Sequence, residues 1–233
     1  MKRFLAFVLA VILLAAAASA QAEAFSASTA QEARTKALEA FDVCALSMEY
    51  PDAGAQQGHL IRWNEGIRIY IHGSPARKDL EMIDKMLLNL ALRVPDLPNI
   101  TLVSSQERSN VQFYFVPLNQ LKDYMPNYVE GNWGYFHLNY NNWMIREAQV
   151  GIATDVTDQE ARNHLIQEEF TGALGLLNDH YLYSDSILYQ PWTTVQQPSE
   201  VDWLMLNILY SPLLSPGMEK NKIHSVLTEA WSR

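Results

Sequence analysis

The sequence predicts an α+β fold, with short strands and helices mixed through its first two thirds and a helical C-terminal third. Three observations carry that expectation. Ile67, Ile69 and Ile71 alternate with Arg68 and Tyr70, the period of a strand with one buried face. Ser74-Pro75 then opens a helical run, with Pro75 in its first turn and Leu80, Ile83, Leu87, Leu90 and Leu92 down its length. An extended pattern follows at 100–103, completing a strand–helix–strand crossover. From Thr157 onward the apolar spacing is helical, with cap-like starts at Thr157 and Ser199.

In chain order, Lys2 and Arg3 precede an apolar run at 4–17, and Ala18-Ser19-Ala20 and Ala22-Glu23-Ala24 offer small-residue cleavage sites. This is the pattern of a cleavable signal peptide over 1–24, cut after Ala20 or Ala24, and it predicts export to the periplasm or beyond. The cleavage region has no cysteine for a lipid anchor. No later run reaches the roughly 18 apolar residues of a membrane helix. A helix and loop are expected over 25–58, with Ala33, Ala37, Phe41 and Ala45 at helical spacing and an end near Tyr50-Pro51. Residues 59–233 then suit a single domain. Cys44 is the lone cysteine, so it has no internal disulfide partner and reads as a small buried residue. A net charge of −9 argues against a nucleic-acid partner, which needs a clustered basic surface.

Further strands are expected at 60–63, 111–116 and 149–153, and a loop at 119–132 with one helical turn around Leu121. The aromatic stretch from Trp133 to Trp143 reads as part of a hairpin turning near 139–142. Its rings either pack on both faces of a half-buried sheet or offer a platform for glycan or peptide. A last helix is expected from Pro216-Gly217-Met218 to Trp231.

The central element runs from His164 to His180. Thr157 and Glu160 form a capping-box pattern at its start, and Gly175 is a natural stop. At 100° per residue, Leu165, Ile166, Phe170, Ala173, Leu174 and Leu177 share one broad face. His164, Glu168 and Gly172 form a stripe along its flank. Glu169 falls inside the apolar arc, where a carboxylate needs a partner such as Arg162, a backbone N–H or a tyrosine hydroxyl. Such a glutamate serves either structure or proton transfer.

Glu168-Glu169-Phe-Thr-Gly172-Ala-Leu-Gly175-Leu-Leu-Asn178 resembles the matrixin-type metzincin helix H-E-x-x-H-A-L-G-L-x-H. Ser186-Ile187-Leu188-Tyr189-Gln190-Pro191 resembles the Met-turn S-I-M-Y-P, with Leu188 in place of methionine. Residues 199–210, with Asp202 and Leu209-Tyr210, resemble the helix that follows it. His164, Glu168-Glu169, Leu174-Gly175-Leu176, Asn178-Asp179 and Ser186-Ile187 together are similar to the exported bacterial domain-of-unknown-function family 2927. These resemblances imply a zincin-like fold: a mixed twisted sheet, a central helix of the active-site type and a helical C-terminal part.

The departures bear on the chemistry. The three histidine ligands of a metzincin correspond here to Glu168, Gly172 and Asn178, and only the general-base position, Glu169, is kept. The leading expectation is a non-catalytic module that binds an envelope protein or peptide, with Trp133, Tyr135, Asn178, Ser186 and Tyr189 lining a groove. A second is a metal-dependent hydrolase with Glu169 as catalytic base and zinc held by His164, Glu168, Asp179 and His180. A third is a structural or glycan-binding envelope protein using the stretch from Trp133 to Trp143.

Overall fold

The computed structural model describes residues 29–47 and 58–232. The expected signal peptide, its cleavage sites and Tyr50-Pro51 lie outside the described residues. No described helix is long and apolar enough to cross a membrane. The elements in order are α1 (29–44), β1 (Arg62–Trp63), β2 (Ile67–Gly73), α2 (Arg77–Arg93), β3 (Ile100–Leu102), β4 (Val111–Val116), α3 (Leu121–Tyr124), β5 (Gly134–Asn141), β6 (Met144–Ala153), α4 (Gln159–Ala173), α5 (Glu200–Leu209) and α6 (Lys220–Trp231).

The six strands of the described residues join one mixed sheet. β3, β2, β4 and β6 are successive parallel neighbours. β5 runs antiparallel along β6, from Gly134 opposite Ile152 to Asn141 opposite Met144. β1 pairs with Met144 and Ile145 at the start of β6, on the edge that β4 occupies farther along. Among the described residues β5 pairs with β6 alone and therefore ends the sheet.

Alternation sorts side chains to the two faces. Ile69, Phe113, Phe115, Val150 and Ile152 join a core with Ile83, Leu165, Ile166 and Phe170, under α2 and α4. Tyr114, Val116, Tyr135 and Ala153 face the other way, beneath Leu121 and Met125 of the short helix α3. α1 packs into the larger core through Ala37, Ala40, Phe41 and Cys44. Burial pushes the Cys44 thiol well above its usual range, so it is a buried neutral group. The result is a mixed sheet with a central helix and a helical C-terminal part, the layout expected from the sequence.

Several boundaries move for local reasons. The first helix ends at 44 rather than near Tyr50. α2 is capped at Ala76, whose N–H donates to the Asp79 carboxylate at 2.7 Å, so Pro75 precedes the helix instead of lying in its first turn. β6 starts at Met144, not at 149, because Asn142 and Trp143 both adopt positive φ (51° and 63°) and turn the chain in two residues. α4 is capped by Asp158, which accepts from Ala161 N–H at 2.8 Å. The Thr157 hydroxyl instead donates to the Ala153 carbonyl. The expected Thr157–Glu160 box is thus replaced by a single side-chain cap one residue later. The cap at Ser199 forms as expected, with Asp202 completing the box. The last helix begins only at Lys220, since Gly217 (φ 83°) turns beneath Trp143.

Candidate functional site

α4 carries its apolar arc into the core as expected: Leu165, Ile166, Phe170, Ala173, Leu174 and Leu177 are all buried. It stops at Gly175, whose φ of 119° suits glycine, and a Cβ there would meet the Ile61 carbonyl oxygen at 2.5 Å. Two side chains remote in sequence satisfy the last carbonyls of the helix. Trp63 Nε1 donates to Ala173 O at 2.9 Å, and the Tyr210 hydroxyl donates to Leu174 O at 2.7 Å. Burial pushes the Tyr210 hydroxyl far above its usual range, keeping it a donor. Beside it, Arg62 donates to the carbonyls of Leu209 (2.7 Å), Ser211 (3.1 Å) and Leu214 (2.8 Å), capping the end of α5. These carbonyl caps had no signal in the sequence.

The flank stripe of α4 lies beside β5, and its three members have different neighbours. His164 is 1% exposed. Its Nδ1 bonds the Val195 carbonyl at 2.9 Å, and its Nε2 lies 3.3 Å from Glu168 Oε2. Carbonyl and carboxylate oxygens are both acceptors, so an imidazole protonated on both nitrogens is the form that satisfies the two contacts together. Burial is the strongest single influence on His164 and opposes its charge. The Glu168 carboxylate and the Val195 carbonyl together outweigh burial and hold the imidazole above its usual value.

Gly172 meets the Phe136 ring. A Cβ on Gly172 would lie 2.7 and 2.8 Å from Cδ1 and Cζ of that ring, and closer still to Cε1. The space that a longer side chain at 172 would enter is therefore filled from β5. Glu169 is half-buried rather than sunk in the core, and its carboxylate lies against Gly134. Arg162 is not its partner: that guanidinium turns to Asp79 at 3.0 Å, and Asp79 is 1% exposed.

Past the glycine turn, Asn178 faces α1. Its Nδ2 donates to Ser47 Oγ at 2.9 Å, and its N–H donates to the Cys44 carbonyl at 3.1 Å. Asp179 is half-buried next to it. His180 is 1% exposed and belongs to a closed chain of bonds. Its Nδ1 accepts from Leu182 N–H at 3.1 Å, so its Nε2 carries the proton and donates to Ser186 Oγ at 3.1 Å. Ser186 Oγ–H donates to Asp202 Oδ1 at 2.5 Å, and Asp202 Oδ2 accepts from the N–H groups of Ile187 (2.9 Å) and Ser199 (2.6 Å).

Serine, histidine and aspartate thus meet with the serine in the middle. A nucleophilic triad needs the histidine there, accepting the serine proton. With all three residues nearly inaccessible, the chain of bonds serves structure. It ties the segment at 186–189 to the start of α5, and Ile187 and Leu188 are buried in the main core.

The expected metal ligands are therefore not assembled. His164 and Glu168 bond each other, and both ring nitrogens of His180 are taken within its own loop. Among the described residues no three His, Cys, Asp or Glu side chains converge on one point. The three metzincin ligand positions fare no better. Glu168 is paired with His164, Gly172 has no donor and faces a ring, and Asn178 points to Ser47. This donor set does not fit zinc.

Of the expected groove residues, Tyr135 is buried with its hydroxyl on the Asn127 carbonyl, and Ser186 is fully buried. Tyr189 is half-buried beside His180. Trp143 stacks on His59 at 4.2 Å and packs on Gly217, so the aromatic stretch is not an open platform. Trp133 remains 38% exposed and meets Trp192, itself 55% exposed, at 5.3 Å and 76°. Trp192 in turn lies edge-on to His164 at 5.8 Å. Trp192 lies between α4 and α5 in a stretch without apolar periodicity, so no local signal in the sequence marks it.

Among solved structures, two of myroilysin resemble this chain. One shares 12% identity, covers 65% of this chain and 83% of that one, and has a TM-score of 0.45. The other shares 12% identity, covers 67% of each chain and has a TM-score of 0.34. No protein of curated function matches. Residues 34–229 match the family described as "Protein of unknown function (DUF2927)", and the chain belongs to that family.

Proposed function

We propose that this protein is a non-catalytic binding module that takes an extended segment of an exported protein or peptide as an added strand along β5. The observation that carries the reading is the packing of Phe136 over Gly172. The centre of the helix flank is not an emptied ligand position but a repacked one, sealed by a ring from the edge strand.

β5 supports the binding half of the proposal. It is eight residues long and, among the described residues, ends the sheet and pairs with one neighbour only. An edge strand presents a row of main-chain donors and acceptors that an extended peptide can complete, with specificity supplied by flanking side chains. The targeting pattern at 1–24 supports export and, with it, a partner in the cell envelope.

The test is selection of peptides from a random library on the purified mature protein, followed by hydrogen exchange with a selected peptide bound. Protection confined to residues 134–141 and their neighbours is expected. Tight binding that leaves β5 amides unprotected overturns strand addition. One transition-metal ion per chain, together with cleavage of the bound peptide, overturns the non-catalytic reading.

A further inference from the structure

The entrance to β5 has its own chemistry. Trp133 immediately precedes the strand, and its indole meets Trp192 nearly at a right angle, leaving both rings substantially exposed. Trp192 rests edge-on against His164, and His164 holds one oxygen of Glu168. Glu169, the next residue along α4, lies against Gly134, the residue after Trp133. These contacts close a loop, and the six residues surround one corner of the molecule.

The charge of that corner is one-sided at its surface. Glu168 Oε2 faces His164, but Oε1 receives no hydrogen bond from the described residues, and the Glu168 side chain is 18% exposed where His164 is only 2%. Arg162, the arginine of α4, is turned away to Asp79, and the basic group beside Glu168 is the buried His164 imidazole. Two partly exposed indoles, with the partly exposed Glu168 carboxylate reached from Trp192 through His164, suit a cation. The ring faces attract positive charge, and the carboxylate accepts its N–H groups.

We infer that this corner binds a lysine or arginine side chain of the segment docked on β5, so that the partner peptide carries a basic residue at the position facing Trp133 and Trp192. The inference rests on the strand-addition reading, but the corner has a separate readout. A guanidinium suits it better than an ammonium, because its planar fork both stacks on an indole and donates to a carboxylate.

The experiment titrates the full mature protein with N-acetyl-arginine methylamide and, separately, with the neutral analogue N-acetyl-citrulline methylamide, following the indole N–H resonances. Saturable shifts of two indole signals are expected with arginine only. In Glu168→Gln and in Trp192→Ala the affinity should fall about three- to tenfold, the range of a partly exposed cation–π contact. Trp192 is largely exposed, so that variant keeps its fold, and unchanged shifts of the remaining signals verify it.

Equal responses to arginine and citrulline, or arginine affinity unchanged in both variants, overturn the proposal. The peptide selection separates the two readings. Peptides that protect β5 but show no enrichment of Lys or Arg leave strand addition standing and sink the basic pocket. Arginine binding with no peptide protecting β5 keeps the pocket and sinks strand addition.

Discussion

The Phe136 ring lies directly over the Cα of Gly172, in the space that a side chain at this helix position would occupy. Two opposing terms meet in Gly172→Ala. Removing a glycine from a helix interior stabilises by about 1 kcal/mol, while forcing a methyl into a filled space costs about 1–3 kcal/mol. Overpacking is expected to win, giving a small loss of stability in chemical denaturation. In a Phe136→Ala background the ring is gone, and the same substitution should become stabilising by about 1 kcal/mol. The same sign in both backgrounds would show that the ring does not fill that space.

Gly134 offers the matching control. A Cβ there would lie 2.8 Å from Glu169 Cγ and nearer still to Oε1, the end of a flexible, half-buried side chain. Glu169 can rotate away where an aromatic ring cannot. Gly134→Ala should therefore change stability by less than about 1 kcal/mol, and the nearby amide resonances should move more than the melting temperature does. A loss as large as that from a core truncation would mean that Glu169 is rigidly held.

Asp79 links the first helix on the sheet to α4. Its carboxylate accepts from Arg162 Nε at 3.0 Å, Gln159 Nε2 at 2.8 Å and Ala76 N–H at 2.7 Å, with 1% exposure. Asp79→Ala leaves a guanidinium, an amide and a main-chain donor without their acceptor, and about 3–5 kcal/mol should be lost. Adding Arg162→Met removes the stranded charge and should recover part of it, a coupling that a double-mutant cycle in urea measures. Strict additivity would show that the pair is not energetically joined.

Local signals made much of this architecture legible. The alternation at 67–71, the turn glycine at 175 and the cap at Ser199 each depend on residues within a few positions of one another, and each forms as read. Thr157 and Asp158 are both competent caps. The aspartate wins the helix, because its carboxylate also meets the positive end of the dipole. What decides the chemistry is non-local. Phe136 reaches Gly172 from another element, Asp79 takes the arginine that sequence neighbours suggested for Glu169, and Trp192 joins Trp133 only after the chain has passed around α4. No periodicity within either partner encodes such contacts.

The His180–Ser186–Asp202 chain should make the protein acid-sensitive. Burial holds the His180 imidazole below its usual 6.5, against the pull of Asp202 and Asp185. Protonating Nδ1 would also turn it against the Leu182 N–H that it now accepts. The unfolded chain then binds the extra proton more readily than the folded one, so this stability is present above pH 6.5 and is lost as pH falls through that value towards the folded one. In His180→Gln the amide can donate to Ser186 and accept from Leu182 without titrating. The melting temperature of His180→Gln should therefore gain on that of the parent chain as pH is lowered from 7 to 5, and parallel profiles would remove His180 as the source. Independently, Ser186→Ala should cost about 1–3 kcal/mol at pH 7, since it strips His180 and Asp202 of their shared partner.

His164 should have the opposite sign. Its imidazole is held above 6.5 because the Glu168 carboxylate and Val195 carbonyl outweigh burial. The folded chain binds this proton more readily than the unfolded one. Its stabilising effect is thus fully present below pH 6.5 and is lost as pH rises through the folded value. In Glu168→Gln the carboxylate is gone while burial remains, so the preference should weaken or reverse. Acidification from pH 8 to 6 should then destabilise Glu168→Gln more steeply than the parent chain, in which the His164 gain offsets the His180 loss. The two-dimensional 15N spectrum reports the same event directly: both His164 nitrogens should read as protonated in the parent chain at pH 6.5, and one should lose its proton in the variant. If both chains lose stability equally on acidification and one His164 nitrogen is already bare in the parent, the two-acceptor geometry does not hold the second proton.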